Sequence, residues 1–174
     1  MIRLFVALSL PDDLRVRLVG LAAGIEGARW VAPENLHLTL RYIGDVQEDR
    51  GEDIVAALDG VRAAPLTVTL AGTGHFDTGA RAHSAWVGVE KTPEIVALHE
   101  KLDRALVRVG FEPEGRKYTP HVTLARFRRP RSGHLRDWLE ANAPFAAPPF
   151  EARAFTLYES RQGDYLPLAE FPLT

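Results

Sequence analysis

The chain has 174 residues, 46% of them apolar and 25% charged, with 6 His, no Cys and a net charge of −2. That length and apolar fraction suit one compact domain spanning 1–174 and exclude wholesale disorder. The lack of cysteine excludes disulfides, thiolate-held zinc, iron–sulfur clusters and a Cys nucleophile, while four serines without a GxSxG argue against a serine hydrolase, so catalysis must rest on histidine, carboxylates or a metal.

Residues 2–8 (IRLFVAL) read as a strand. The apolar run is short, and Pro11-Asp12-Asp13 stands where a signal-peptide cleavage site would be. No stretch is long enough to span a membrane, so a cytoplasmic protein with no membrane partner is expected. A helix is predicted from about Pro11 to Ile25, with Pro in its first turn and Leu14, Leu18 and Leu21 on one face. Trp30-Val31 is a short strand candidate, and Asn35–Ile43 (NLHLTLRYI) alternates clearly. Residues 47–61 return to a helical pattern, Leu66–Leu70 alternates again, and Gly72-Thr-Gly74 reads as a hairpin turn before a short strand near His75-Phe76.

The second half repeats this order. Ser84–Val89 is a strand, Thr92-Pro93-Glu94 starts a helix reaching about Val109, and Thr119–Phe127 (TPHVTLARF) is a strand. A short helix covers 132 to about 141, and strands at 150–158 and 165–171 close the chain. Pro11 and Pro93 open corresponding helices, and residues 37 and 121 occupy corresponding strands. The expectation is an α+β fold of mostly antiparallel sheets, with two related lobes built from duplicated halves at roughly 1–78 and 84–174.

His37-Leu38-Thr39-Leu40 and His121-Val122-Thr123-Leu124 carry the chemistry. Side chains alternate along a strand, so His37 and Thr39 share one face and Leu38 and Leu40 the other, and the second motif divides likewise. The apolar pairs can anchor the core while the polar pairs face a cleft between the lobes. Two imidazoles across a cleft suit acid–base work near neutral pH, and the threonine hydroxyls can donate to phosphoryl oxygens as charge builds there. An isolated H-x-T-L in a strand is ordinarily structural. Two in equivalent places are hard to explain by packing.

Arg41 shares parity with His37 and Thr39 and is a candidate substrate contact. Phe5, Tyr42, Trp30 and Trp86 are candidates to stack on a base, though aromatics at such spacings are more often core. His75, His83, His99 and His134 read as incidental; no metal-ligand spacing is present, and neither metal nor nucleotide cofactor is expected. Residues 116–136 hold seven basic and no acidic residues, leaving 14 basic against 23 acidic elsewhere. Such an asymmetry suits a polyanion such as RNA at one face, although a charge run alone is usually a solvated surface.

The chain resembles the 2H phosphoesterases, and within them the RNA 2′,3′-cyclic phosphodiesterases first described as 2′–5′ RNA ligases. The likeness rests on the RLFVAL opening, ENLHLTLRYIGDV, TPHVTLARF and a tail with Leu157-Tyr-Glu-Ser160 and Gly163-Asp-Tyr165. It implies a bilobal LigT-like fold and hydrolysis of a 2′,3′-cyclic phosphate at an RNA or oligonucleotide end to a 2′-phosphate, with 2′–5′ ligation as the reverse. It also implies His37 as proton donor and His121 as proton acceptor, an order the nearly symmetric motifs do not themselves supply. Arg126 becomes a phosphate contact by the same likeness, but strict alternation would turn it inward with Val122 and Leu124 unless a bulge intervenes. Other substrates compatible with this chemistry are a small cyclic nucleotide or an ADP-ribose cyclic phosphate; a non-catalytic RNA-binding module is the rival from another class. A monomer without an obligate protein partner is expected.

Overall fold

The computed structural model describes residues 1–79, 81–128 and 132–174. The order is β1 (Ile2–Ser9), α1 (Asp12–Val19), β2 (Arg29–Trp30), β3 (His37–Val46), α2 (Gly51–Asp59), β4 (Leu66–Val68), β5 (Leu70–Thr78), β6 (Arg81–Val89), α3 (Pro93–Arg108), β7 (His121–Arg126), α4 (Ser132–Asn142), β8 (Phe150–Ala152), β9 (Ala154–Arg161) and β10 (Asp164–Pro172). One four-stranded sheet runs β10-β9-β1-β3 and another β2-β7-β6-β5, while β4 and β8 form a separate pair. Every pairing is antiparallel, so the architecture is α+β with antiparallel sheets. The first sheet draws strands from both ends of the chain, β9 and β10 joining β1 and β3, whereas in the second the short β2 joins β5, β6 and β7 from the middle of the chain. In the units β1–α1–β3 and β6–α3–β7, the motif strand pairs with the strand that precedes the helix. Among the described residues, no helix is long and apolar enough to cross a membrane.

One apolar core joins both sheets to α1, α2 and α3. Leu38 and Leu40 of β3 and Val122 and Leu124 of β7 lie within it, each at most 3% exposed, while the intervening His and Thr are only partly covered. Alternation therefore works as expected at both motifs. α3 is the best-defined helix: the Thr92 hydroxyl accepts from the Ile95 N–H at 3.2 Å, Pro93 follows the cap, and Ile95, Leu98, Leu102 and Leu106 are buried along one face.

Several boundaries differ from the sequence expectation. α1 stops at Val19 instead of reaching Ile25, because Gly20 caps it and Gly24 and Gly27 adopt left-handed backbone; Pro11 sits at the N-cap with extended backbone. The predicted helix over 47–61 is a 3₁₀ turn at Glu48–Arg50 followed by α2. Gly72–Gly74 is not a turn but lies within β5, and its glycines have a packing role. A Cβ on Gly74 would lie 2.2 Å from the Trp86 ring, and Gly72, at φ +75°, accompanies a pairing irregularity between Leu70 and Thr73.

Candidate active site

β3 and β7 adjoin where the two sheets meet, and their polar faces line a cleft of about 520 Å³. His37, Thr39 and Tyr42 enter from β3, and His121, Thr123 and Arg126 from β7. Phe76, Asp77, His83 and Ser84 come from β5 and β6, while Glu114, Arg116, Lys117, Tyr118 and Thr119 come from the segment between α3 and β7.

Both motif strands carry a bulge just beyond the threonine. Pairing of β3 with β1 passes from Ala7↔Thr39 to Val6↔Arg41, skipping Leu40; pairing of β7 with β6 passes from Trp86↔Thr123 to Ala85↔Ala125, skipping Leu124. Two successive residues are thus buried in each strand, Leu40-Arg41 and Leu124-Ala125, and the next side chain returns to the cleft. Arg126 reaches the cleft through the bulge that parity required of it, and Tyr42 holds the equivalent place in β3.

The same bulge corrects the reading of Arg41, which points into the protein and is 5% exposed. Its Nε donates to Asp103 Oδ1 at 2.8 Å, and its other nitrogens donate to the carbonyls of Glu112 and Tyr42. Arg41 is a clamp between β3, α3 and the segment leading to β7. Phe5 is also corrected: it is 4% exposed and absent from the cleft lining, with its ring 4.8 Å from that of His37. Tyr165 meets His37 edge-on at 5.0 Å. On the other side, Phe76 meets His121 edge-on at 4.8 Å and Trp86 lies 5.5 Å from it. Trp30 packs near Trp138, at 6.1 Å, and is not part of the cleft lining.

Each imidazole is also fixed through one nitrogen. His37 Nδ1 is 2.7 Å from the Asn35 carbonyl, and His121 Nδ1 is 2.6 Å from the Thr119 carbonyl. A carbonyl only accepts, so Nδ1 carries the proton in both rings, and Nε2 of the neutral form is a lone-pair acceptor. Thr39 Oγ1 lies 2.9 Å from His37 Nε2 and donates to it in that state. His121 Nε2 has no hydrogen-bond partner among the described residues.

Of the histidines read as incidental, His83 does line the cleft, with its Nδ1 2.9 Å from Thr78 Oγ1. Only tertiary register could reveal this, since Ser84 pairs with Arg126 and thereby brings the start of β6 alongside. His99 is structural: Nδ1 donates to the Leu40 carbonyl at 2.6 Å, and its ring stacks on Tyr118 at 4.1 Å. Tyr118 in turn donates to the Thr39 carbonyl at 3.0 Å, tying the α3–β7 segment to the first motif. His75 contacts Asp77 at 3.3 Å, and His134 Nδ1 accepts the Glu26 N–H. Of the basic window, Arg116, Lys117 and Arg126 line the cleft; Arg129 and Arg131 lie outside the described residues.

The sequence profile of the 2′-5′ RNA ligase superfamily matches residues 11–164. The chain belongs to that superfamily. It is 34% identical over 139 residues to the RNA 2′,3′-cyclic phosphodiesterase of Methanothermobacter thermautotrophicus, covering 75% of this chain and 74% of that protein. It is 30% identical over 186 residues to the Escherichia coli K12 protein of the same name, covering 99% and 97%. The crystal structure of Escherichia coli LigT complexed with 3′-AMP superposes with a TM-score of 0.78 at 27% identity, covering 99% of this chain and 98% of that one. The LigT-like, bilobal α+β expectation is therefore met.

Electrostatics in this superfamily member hold both cleft imidazoles neutral at pH 7. Burial pushes His37 down to about 4, opposed by its bond to Asn35 and assisted by the charges of Arg126, His121 and Arg15. Burial, followed by Arg126, also lowers His121. Imidazole resonances followed by NMR should therefore titrate below the ordinary value of ~6.5, with His37 the lower of the two. Removing the positive charge with Arg126→Gln should raise both, because imidazolium would no longer face a neighbouring cation. Unchanged midpoints would show that the guanidinium lies too far away to matter.

Proposed function

We propose that this enzyme opens 2′,3′-cyclic phosphate ends of RNA or oligonucleotides to 2′-phosphates by acid–base catalysis without a metal. Supporting this are the names of its relatives and, above all, two imidazoles held in one tautomer by backbone carbonyls on opposite strands of one cleft. In this reading His121 Nε2 takes a proton from water as the water oxygen attacks phosphorus. The P–O3′ bond breaks, and protonated His37 delivers its Nε2 proton to the leaving 3′ oxygen. The product carries a 2′-phosphate and a 3′-hydroxyl, and His121 returns its proton to solvent.

His37 is neutral in the free enzyme, so it must gain a proton when the substrate binds. A phosphodiester anion supplies the cause, since it stabilises imidazolium and raises both imidazoles from their depressed values. Thr39, Thr123 and Arg126 are assigned to the phosphoryl oxygens, where negative charge accumulates in the transition state. With the 5′-hydroxyl of a second RNA in place of water, the same steps make a 2′–5′ linkage: His121 takes the hydroxyl proton, the 5′ oxygen bonds to phosphorus, the P–O3′ bond breaks and His37 protonates the 3′ oxygen.

The deciding experiment incubates the protein in EDTA with an oligonucleotide ending in a 2′,3′-cyclic phosphate. A 2′-phosphate product is expected at a rate independent of the chelator. A requirement for added metal would overturn the mechanism, and binding without turnover would favour an RNA-binding module.

A further inference from the structure

His99 is the polar exception on the buried face of α3, among Ile95, Leu98, Leu102 and Leu106, and it lies outside the cleft lining. A polar ring in such surroundings needs a hydrogen-bond partner, and its Nδ1–H finds one in the Leu40 carbonyl at 2.6 Å. Leu40 is the residue that the pairing of β3 with β1 passes over, so its backbone lacks the ladder partner of an unbroken strand. Tyr118 lies flat on His99, with 4° between the ring planes, and donates to the neighbouring Thr39 carbonyl at 3.0 Å. Burial, helped by Glu114, pushes that phenol above its ordinary value and keeps it a donor. The second motif is built differently. Its bulge carbonyl, on Leu124, accepts the Val31 N–H at 2.8 Å, so a backbone amide does there what two side chains do at β3.

We propose that His99 and Tyr118 form a positioning pair for the first motif, holding the backbone of Thr39 and Leu40 so that the Thr39 hydroxyl keeps its place beside His37 Nε2. The kinetic consequence rests on the two-histidine reading above. Thr39 has two partners to serve. In the free enzyme its hydroxyl donates to neutral His37 at 2.9 Å. Once His37 is protonated, Nε2 becomes a donor and the hydroxyl is free to turn toward the phosphoryl oxygens. That exchange is a rotation about the Cα–Cβ bond, and it delivers the hydroxyl correctly only if the backbone beneath it stays fixed. The bonds from Tyr118 to Thr39 and from His99 to Leu40 supply that fixed point.

Tyr118→Phe retains the stacked ring and removes only the hydroxyl. It should lower kcat on a cyclic-phosphate-ended oligonucleotide by about tenfold to a hundredfold with KM nearly unchanged, the scale of loss that a misplacement of ~1 Å causes. His99→Leu should show the same pattern, and His99→Asn, whose amide can donate from nearly the Nδ1 position, should recover most of the loss. Should His99→Leu not fold, Tyr118→Phe carries the test alone. In the impaired variants the imidazole nitrogen resonances of His37, read by NMR without substrate, should move while those of His121 stay in place. A fold that is merely loosened would move both sets and overturn the proposal. So would wild-type kcat in Tyr118→Phe, His37 resonances that do not move, or a raised KM at unchanged kcat, which marks direct contact of Tyr118 with substrate. If the wild-type protein turns over no cyclic phosphate, the phosphodiesterase reading fails and the resonances alone decide the positioning role.

Discussion

His121→Ala is expected to lower kcat on a cyclic-phosphate-ended oligonucleotide by ~10²–10⁴-fold, the usual contribution of a positioned acid or base. His37→Ala should lose a similar factor. Neither ring is interchangeable with water, because each is oriented by a backbone carbonyl at Nδ1 and by aromatic neighbours on its flank. The double variant should be little worse than the poorer single one, since acid and base serve one transition state and their losses do not add. Product affinity should change far less than kcat, because the threonines and Arg126 remain. His37 is the more enclosed ring, packed by Phe5 and Tyr165, so a thermal melt must accompany its kinetics. A wild-type rate in either single variant would refute the two-histidine mechanism.

Arg41→Ala should cost about 3–5 kcal/mol of unfolding stability, read by urea titration, because it leaves a buried hydrogen-bonded charge pair without one member. The guanidinium is 5% exposed and serves Asp103 and two backbone carbonyls. Asp103 also accepts the Glu114 N–H at 3.0 Å, so the clamp holds the segment that delivers Arg116, Tyr118 and Thr119 to the cleft. For a chain of this size the melting temperature should fall by on the order of 10 °C. Had Arg41 contacted the substrate, as its parity with His37 suggested, the variant would show a raised KM and unchanged stability. That outcome would refute the buried assignment.

The motif strands show where sequence reading succeeds and where it ends. Alternation was sufficient for residues 37–40 and 121–124, because a half-buried strand must divide its side chains between core and cleft. It failed at Arg41 because a bulge shifts parity by one residue, and a bulge depends on how the neighbouring strand pairs. The matching bulge in β7 brings Arg126 out and, in β3, Tyr42. Gly72–Gly74 misled for a related reason: glycine is as useful beneath a large ring as in a turn, and the ring of Trp86 comes from a different strand. His83, Glu114 and Tyr118 carried no local signal, because they reach the cleft through strand register and through contacts with α3.

Cysteine-free composition and six histidines restricted the chemistry, and spacing selected two of those histidines. By itself the sequence determined which side chains of the two motifs face the cleft, the elements that bear them and the split between core and cleft faces, since these follow from residue type and short-range periodicity. Tertiary structure alone decided which tautomer each imidazole holds, that burial and Arg126 depress them, and that Arg41 is a clamp. Those properties depend on distances between residues remote in the chain, which local pattern does not encode.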